Sequence, residues 1–144
     1  MIDGVTNAGA IPALERLLQF AGGRHRVIVN NIANLDTPGF RPVDVSVDAF
    51  QSRLGEAVDR SRNTNGNAGG ELQIQSGDGI EFAPNGMVLH PTPRGDNILF
   101  HDGNDRDPEK LMQSLVENFM TFRAASDLLR NRFDLINTAI RERL

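Results

Sequence analysis

From Glu109 to Leu144 the chain runs without a glycine or a proline, and its apolar residues recur at alternating steps of three and four. Met112, Leu115, Phe119, Phe122, Leu129, Phe133, Ile136 and Ile140 hold that spacing, with Ser126 as the polar interruption. The period is that of a helical seam. At 1.5 Å per residue it predicts a helix of roughly 50 Å, far longer than the globular average. Its start is marked by Asp107 as N-cap, Pro108 at the first helical position and Glu109 in the first turn. A stripe this long calls for another long helix to cover it.

The other end of the chain supplies one. Ile11, Leu14, Leu18, Ala21, Ile28, Ile32 and Leu35 repeat with the same spacing, and His25 fills the gap as a polar register-setter or a satisfied core side chain. The spacing predicts a helix from about Ile11 to Asn34, with Pro12 in its first turn. Gly22 and Gly23 in its middle cost about 1 kcal/mol each relative to alanine, so a weak point or a close contact is expected there. The two seams read as the two halves of one coiled coil. Leu111, Val116, Ala125 and Ala139 widen the apolar face beyond the strict seam, as expected if neighbouring helices also cover it.

The first helix is closed by Asn30-Asn31-Ile32-Ala33-Asn34-Leu35-Asp36-Thr37-Pro38-Gly39-Phe40. Thr37 precedes a proline and is pushed out of the helical region. Pro38-Gly39 suits the central positions of a type II turn. Asn34 and Asp36 can hydrogen-bond local backbone and so help to end the helix.

Between the helices the pattern changes. Val43, Val45 and Val47 alternate with polar residues, which suits a short strand. Ala49 to Val58 reads as a short helix using Phe50, Leu54 and Val58, and Asp59 to Gly70 as a flexible loop with almost nothing to bury. Leu72 and Ile74 alternate with polar neighbours, as do Ile80 and Phe82. Asn85-Gly86 then predicts a hairpin of the type I′ kind, and Asn97 to Phe100 a last extended piece. The expected fold is mainly α, with long N- and C-terminal helices in a coiled coil and an extended, β-hairpin and loop-rich middle. The segments are 1–36, 37–106 and 107–144, the two helices forming one domain.

Several function classes fall away. A formal net charge of −4 argues against a nucleic-acid binder. The absence of cysteine removes disulfides, thiolate metal sites and cysteine nucleophiles. The histidines at 25, 90 and 101 lack ligand spacing. Asp102-Gly103-Asn104-Asp105 has its glycine misplaced for a calcium loop and no glutamate at the twelfth position. Ser76-Gly77-Asp78-Gly79 lacks the lysine and the strand–helix context of a phosphate loop. Carboxylates sit singly on polar faces. The expectation is therefore a non-enzyme without metal or cofactor. No run reaches transmembrane length, and no cleavable signal sequence is seen at the N-terminus.

Asn31-Ile32-Ala33-Asn34-x-x-Thr37-Pro38-Gly39-Phe40 resembles the N-terminal signature of the flagellar axial proteins, the family of rod, hook and hook-associated subunits. Phe40-Arg41-Pro42-Val43-Asp44-Val45 followed by Phe50 and Leu54, His101-Asp102-Gly103-Asn104, and the run from Leu129 to Ile140 are similar to a proximal rod subunit of that family. Its short length excludes hook and distal-rod subunits, and a sister proximal rod subunit is the nearest competitor. Phe40 stands where tyrosine is commoner, and Arg106-Asp107-Pro108 replaces the usual apolar residue after Asp-Gly-Asn. The resemblance implies a structural subunit of a helical assembly that transmits torque and lines an export channel. It also implies export without a cleaved signal peptide and residence in the periplasmic rod. The implied partners are other copies of the chain and basal-body proteins such as FliE, FlgC, FlgF, the MS ring and the export gate. No nucleic acid or small-molecule substrate is implied. A non-polymerising adaptor presenting an amphipathic helix is the alternative from another class. The assembly contacts expected are Ile11, Leu14, Leu18, Ile28, Ile32 and Leu35 with Met112, Leu115, Phe119, Phe122, Leu129, Phe133, Ile136 and Ile140. Asn30, Asn31, Ile32, Ala33, Asn34, Thr37, Pro38, Gly39 and Phe40 form the turn motif.

Overall fold

A computed structural model describes residues 10–65, 72–83, 86–93 and 107–142. The element order is α1 (Ile11–Ala33), β1 (Val43–Asp44), α2 (Val47–Asn65), β2 (Ile80–Ala83), β3 (Gly86–Leu89), β4 (Thr92–Pro93) and α3 (Pro108–Arg141). The described chain is mainly helical, with two small antiparallel pairs of strands. The predicted extended piece 97–100 and the segment 101–104 lie outside the described residues.

Local sequence signals set the ends of the helices. Asp107 caps α3 by accepting from the Lys110 backbone N–H at 3.0 Å, with Pro108 in the first turn. At the end of α1 the Asn34 side chain donates to the Asn30 carbonyl at 2.8 Å. The Phe40 N–H then bonds the Thr37 carbonyl at 3.1 Å across Pro38-Gly39, and Gly39 has φ of +73°. That positive φ at the third residue is the type II geometry.

The helix after the turn is longer than its apolar pattern predicts. It spans 19 residues, so Asp59 to Asn65 is helical rather than loop. Ser46 starts it by accepting from the Ala49 N–H at 3.1 Å. No proline follows within it, and a polar stretch can extend a helix already nucleated and packed at one end. The residues from 66 to 70 are outside the described set.

The hairpin also differs in register. Ala83 pairs with Gly86 and Phe82 with Met87, so Gly86 is the first residue of β3 and the two connecting positions are 84 and 85. The turn itself, for which the type I′ kind is expected, falls on 84 and 85, outside the described residues. The glycine is therefore not at a turn centre. β4, two residues that pair with β1 through Val43 and Pro93, carries no signal in the sequence. Leu72 and Ile74 form no strand.

A small core joins α1 to the middle of the chain. Phe20, Val45, Phe50 and Ile80 are buried, with Leu17, Val47, Leu54, Phe82, Met87 and Leu89 packed around them. The Phe20 ring stacks on Phe50 with centroids 4.0 Å apart, and the Phe82 ring lies 6.5 Å from that of Phe50. Such aromatic contacts add about 1 kcal/mol beyond area burial. Gly23 explains part of the fit: a Cβ there would lie 2.6 Å from Leu89 Cδ1, so α1 and β3 approach closely where side-chain bulk is absent. Arg16 ties the same faces together, donating to the Gly86 carbonyl at 3.1 Å and the Ala83 carbonyl at 3.3 Å.

Candidate assembly surface

α3 lies against α1, but not along the seam that its large residues define. The buried residues of α3 are Leu111, Ser114, Asn118 and Ala125. The predicted seam of Met112, Leu115, Phe119 and Ser126 is one residue further on. Within the chain the two helices thus pair along a stripe displaced by one position and richer in small and polar side chains. The reason is visible at the contact. Asn118 donates to the Ala21 backbone carbonyl at 2.9 Å, and Ala21 is 1% exposed. Small side chains let the two backbones come close, whereas phenylalanine there would hold them apart.

The bulky residues are left outside. Met112, Phe119, Phe122, Phe133 and Ile140 are exposed, and Leu115, Leu129 and Ile136 are half-buried. At 100° per residue, Phe119, Phe122, Phe133 and Ile140 fall within an arc of roughly 60°, beside the covered stripe. They are 39–58% exposed in the chain. Leu128 and Leu135, seven residues apart and 54% and 65% exposed, lie along the other edge. Sequence reading missed this second edge because neither residue falls in the 3-4 repeat. Its signal is the heptad spacing Leu128–Leu135 itself.

α3 also outruns its partner. It continues 23 residues beyond Asn118 to Arg141, whereas α1 reaches no more than 12 residues from Ala21 in either direction. At least 11 residues of α3, roughly 16 Å, therefore project past the described part of α1. From Arg130 to Glu142 every residue except Ile136 is exposed.

On α1, Ile11 and Ile28 are buried and Leu14, Leu18 and Ile32 half-buried; Leu35, expected in the same helix, lies past its end in the turn and is half-buried. His25 is exposed and does not fill the seam; Arg24 takes the buried place beside it. The Arg24 guanidinium forms a two-point bridge to Asp44, Nε to Oδ1 at 3.0 Å and Nη2 to Oδ2 at 2.8 Å. Asp44 Oδ1 also accepts from the Val45 N–H at 2.8 Å. A helix turns one residue every 100°, so a pattern of apolar residues could not show that the buried position is an arginine.

In the turn motif, Asn31 is 1% exposed. Its amide meets Val43 twice, donating to the carbonyl at 2.6 Å and accepting from the N–H at 3.1 Å. Asn30, Ala33, Thr37, Pro38 and Gly39 are exposed, and Ile32, Asn34 and Phe40 are half-buried. Thr37 joins the cap through its N–H to the Asn34 carbonyl at 2.9 Å. The motif thus ends α1 and fixes where the chain returns to pair with it.

Among the described residues no group of three His, Cys, Asp or Glu side chains could hold a metal ion. None of their helices is long and apolar enough to cross a membrane.

No protein-family model matches the chain. It is 27% identical over 135 residues to the flagellar basal body rod protein FlgB of Bacillus subtilis (strain 168), covering 92% of this chain and 94% of that one. It is 26% identical over 137 residues to the protein of the same name from Borrelia hermsii, covering 92% and 96%. Along nearly its whole length, then, the chain is similar to flagellar basal body rod proteins.

Proposed function

We propose that this chain is a structural subunit of the proximal rod of a bacterial flagellum and polymerises through its terminal helices. The observation that carries this reading is the state of α3. A helix of 34 residues keeps apolar side chains exposed on both edges of the stripe that α1 covers, and projects beyond it. A monomer gains nothing from such a surface, whereas a helical lattice offers each helix a neighbour on either side. In the assembly the terminal helices form a coiled coil, with Ile11, Leu14, Leu18, Ile28 and Leu35 inside the subunit. Phe119, Phe122, Phe133 and Ile140 face its neighbours. The helices line the export channel, and the rigid stack transmits torque. Its neighbours are further copies and other basal-body proteins, among them FliE, FlgC, FlgF and the MS ring with its export gate. The subunit reaches the periplasmic rod through the flagellar export apparatus without loss of a cleaved signal peptide. The role needs no catalytic group, metal or cofactor.

The test is to tag the chain internally, in the 66–70 segment, and to follow it through purification of intact basal bodies. The reading expects it in the rod fraction in several copies per particle, at its full mass. Recovery only as a soluble 1:1 complex with one partner would favour an adaptor instead.

A further inference from the structure

We propose that Asn118 is a positioning residue that fixes the pairing register of α1 and α3, and so decides which face of α3 the subunit presents outward. The α3 helix carries two stripes of matching spacing. One is Leu111, Ser114, Asn118 and Ala125; the other, one residue on, is Met112, Leu115, Phe119 and Ser126. Apolar area alone favours covering the second, which holds the larger side chains. The chain covers the first.

The difference lies in a polar contact. Asn118 is 4% exposed, and its amide reaches the Ala21 carbonyl at 2.9 Å. A helical carbonyl keeps a second lone pair for such a bond. Leucine or alanine contacts are tolerant of sliding, but a buried amide is not. Displacing α3 by one turn would carry Asn118 away from Ala21 and leave it buried without that acceptor. Turning α3 to cover Phe119 would break the same bond. A single buried asparagine at a helix interface is known to select register at some expense of stability. Ala21 favours the same point, because its small, buried side chain does not hold the two backbones apart. This register does not depend on the assembly reading; its consequence for the outward phenylalanines does.

Pulsed electron–electron spin resonance on the full-length chain tests this apart from assembly. The chain has no cysteine of its own, so Arg26→Cys and Asn137→Cys, both at exposed positions, accept two spin labels cleanly. The labelled parent is expected to give one narrow distance. Adding Asn118→Leu, which keeps the bulk and removes the amide, is expected to add a second distance. A four-residue slip moves it by about 6 Å, with helix content by circular dichroism unchanged. If Asn118→Leu loses its helical signal, Asn118→Ala is read in its place with the same expectation. A single unchanged distance in a helical variant would overturn the proposal. So would a parent with no narrow distance, or the loss of helix in both variants, which would make Asn118 a requirement for folding rather than for register.

Discussion

At Asn31 a side-chain amide stands in for a neighbouring strand: it satisfies both backbone groups of Val43 from within a helix. Buried backbone groups require partners, so this residue sets where the chain lies after the turn. Asn31→Leu is expected to lower stability by about 2–4 kcal/mol, since two buried groups lose their bonds. Urea denaturation of the purified chain measures it. Arg24 plays a similar part at the other residue of β1, Asp44. Removing it takes the neutralising cation from the Asp44 carboxylate, whose side chain is 12% exposed. Arg24→Met is expected to cost about 3 kcal/mol, and Arg24→Met with Asp44→Leu to recover part of that loss in the same assay. Asn31 is legible in the sequence as a member of the turn motif. Its partner is not, because Val43 lies 12 residues away and only the returning chain brings the two together. Arg24 is harder still, since a charged residue among apolar ones reads as solvent-facing until its counter-ion is located.

The helices were legible in proportion to how local their signals are. Asp107-Pro108-Glu109 and Thr37-Pro38-Gly39-Phe40 act within a few residues of themselves, and the structure forms a cap and a turn there. The pairing of α1 with α3 depends on how closely two backbones approach, which periodicity does not encode. Large residues draw the eye to the Phe119 stripe, while small ones at Ala21 and Ala125 make the contact. α2 shows the converse failure: Asp59 to Asn65 lacks apolar residues, yet nothing in it stops a helix. The two central glycines of α1 separate the same effects by experiment. A Cβ on Gly22 would have nothing within 4 Å, while one on Gly23 would meet Leu89. Gly22→Ala is expected to stabilise the chain by about 0.5–1 kcal/mol. Gly23→Ala is expected to give no such gain, because Leu89 must shift out of the core. Thermal melts of the two variants side by side check the contrast.

On the scale of the molecule, the core around Phe20 and Phe50 locks the middle of the chain to α1, and α3 is added along the neighbouring stripe that holds Ala21. The sequence showed two long helices and a β-containing middle, but not that Phe20 turns away from α3 to stack on Phe50. That division of α1 between two partners leaves too little of it to cover α3. The exposed apolar edges follow from this shortage, and the proposed assembly role is argued from the edges. Phe133 is the sharpest probe, because it is 39% exposed and lies on the stretch of α3 that projects past α1. The measurement that tests the account most directly is swimming motility of the source bacterium carrying Phe133→Asp, alongside the melting temperature of the same purified variant. The account expects an unchanged melting temperature, a protein still made, and motility lost. Normal swimming by that variant would contradict it.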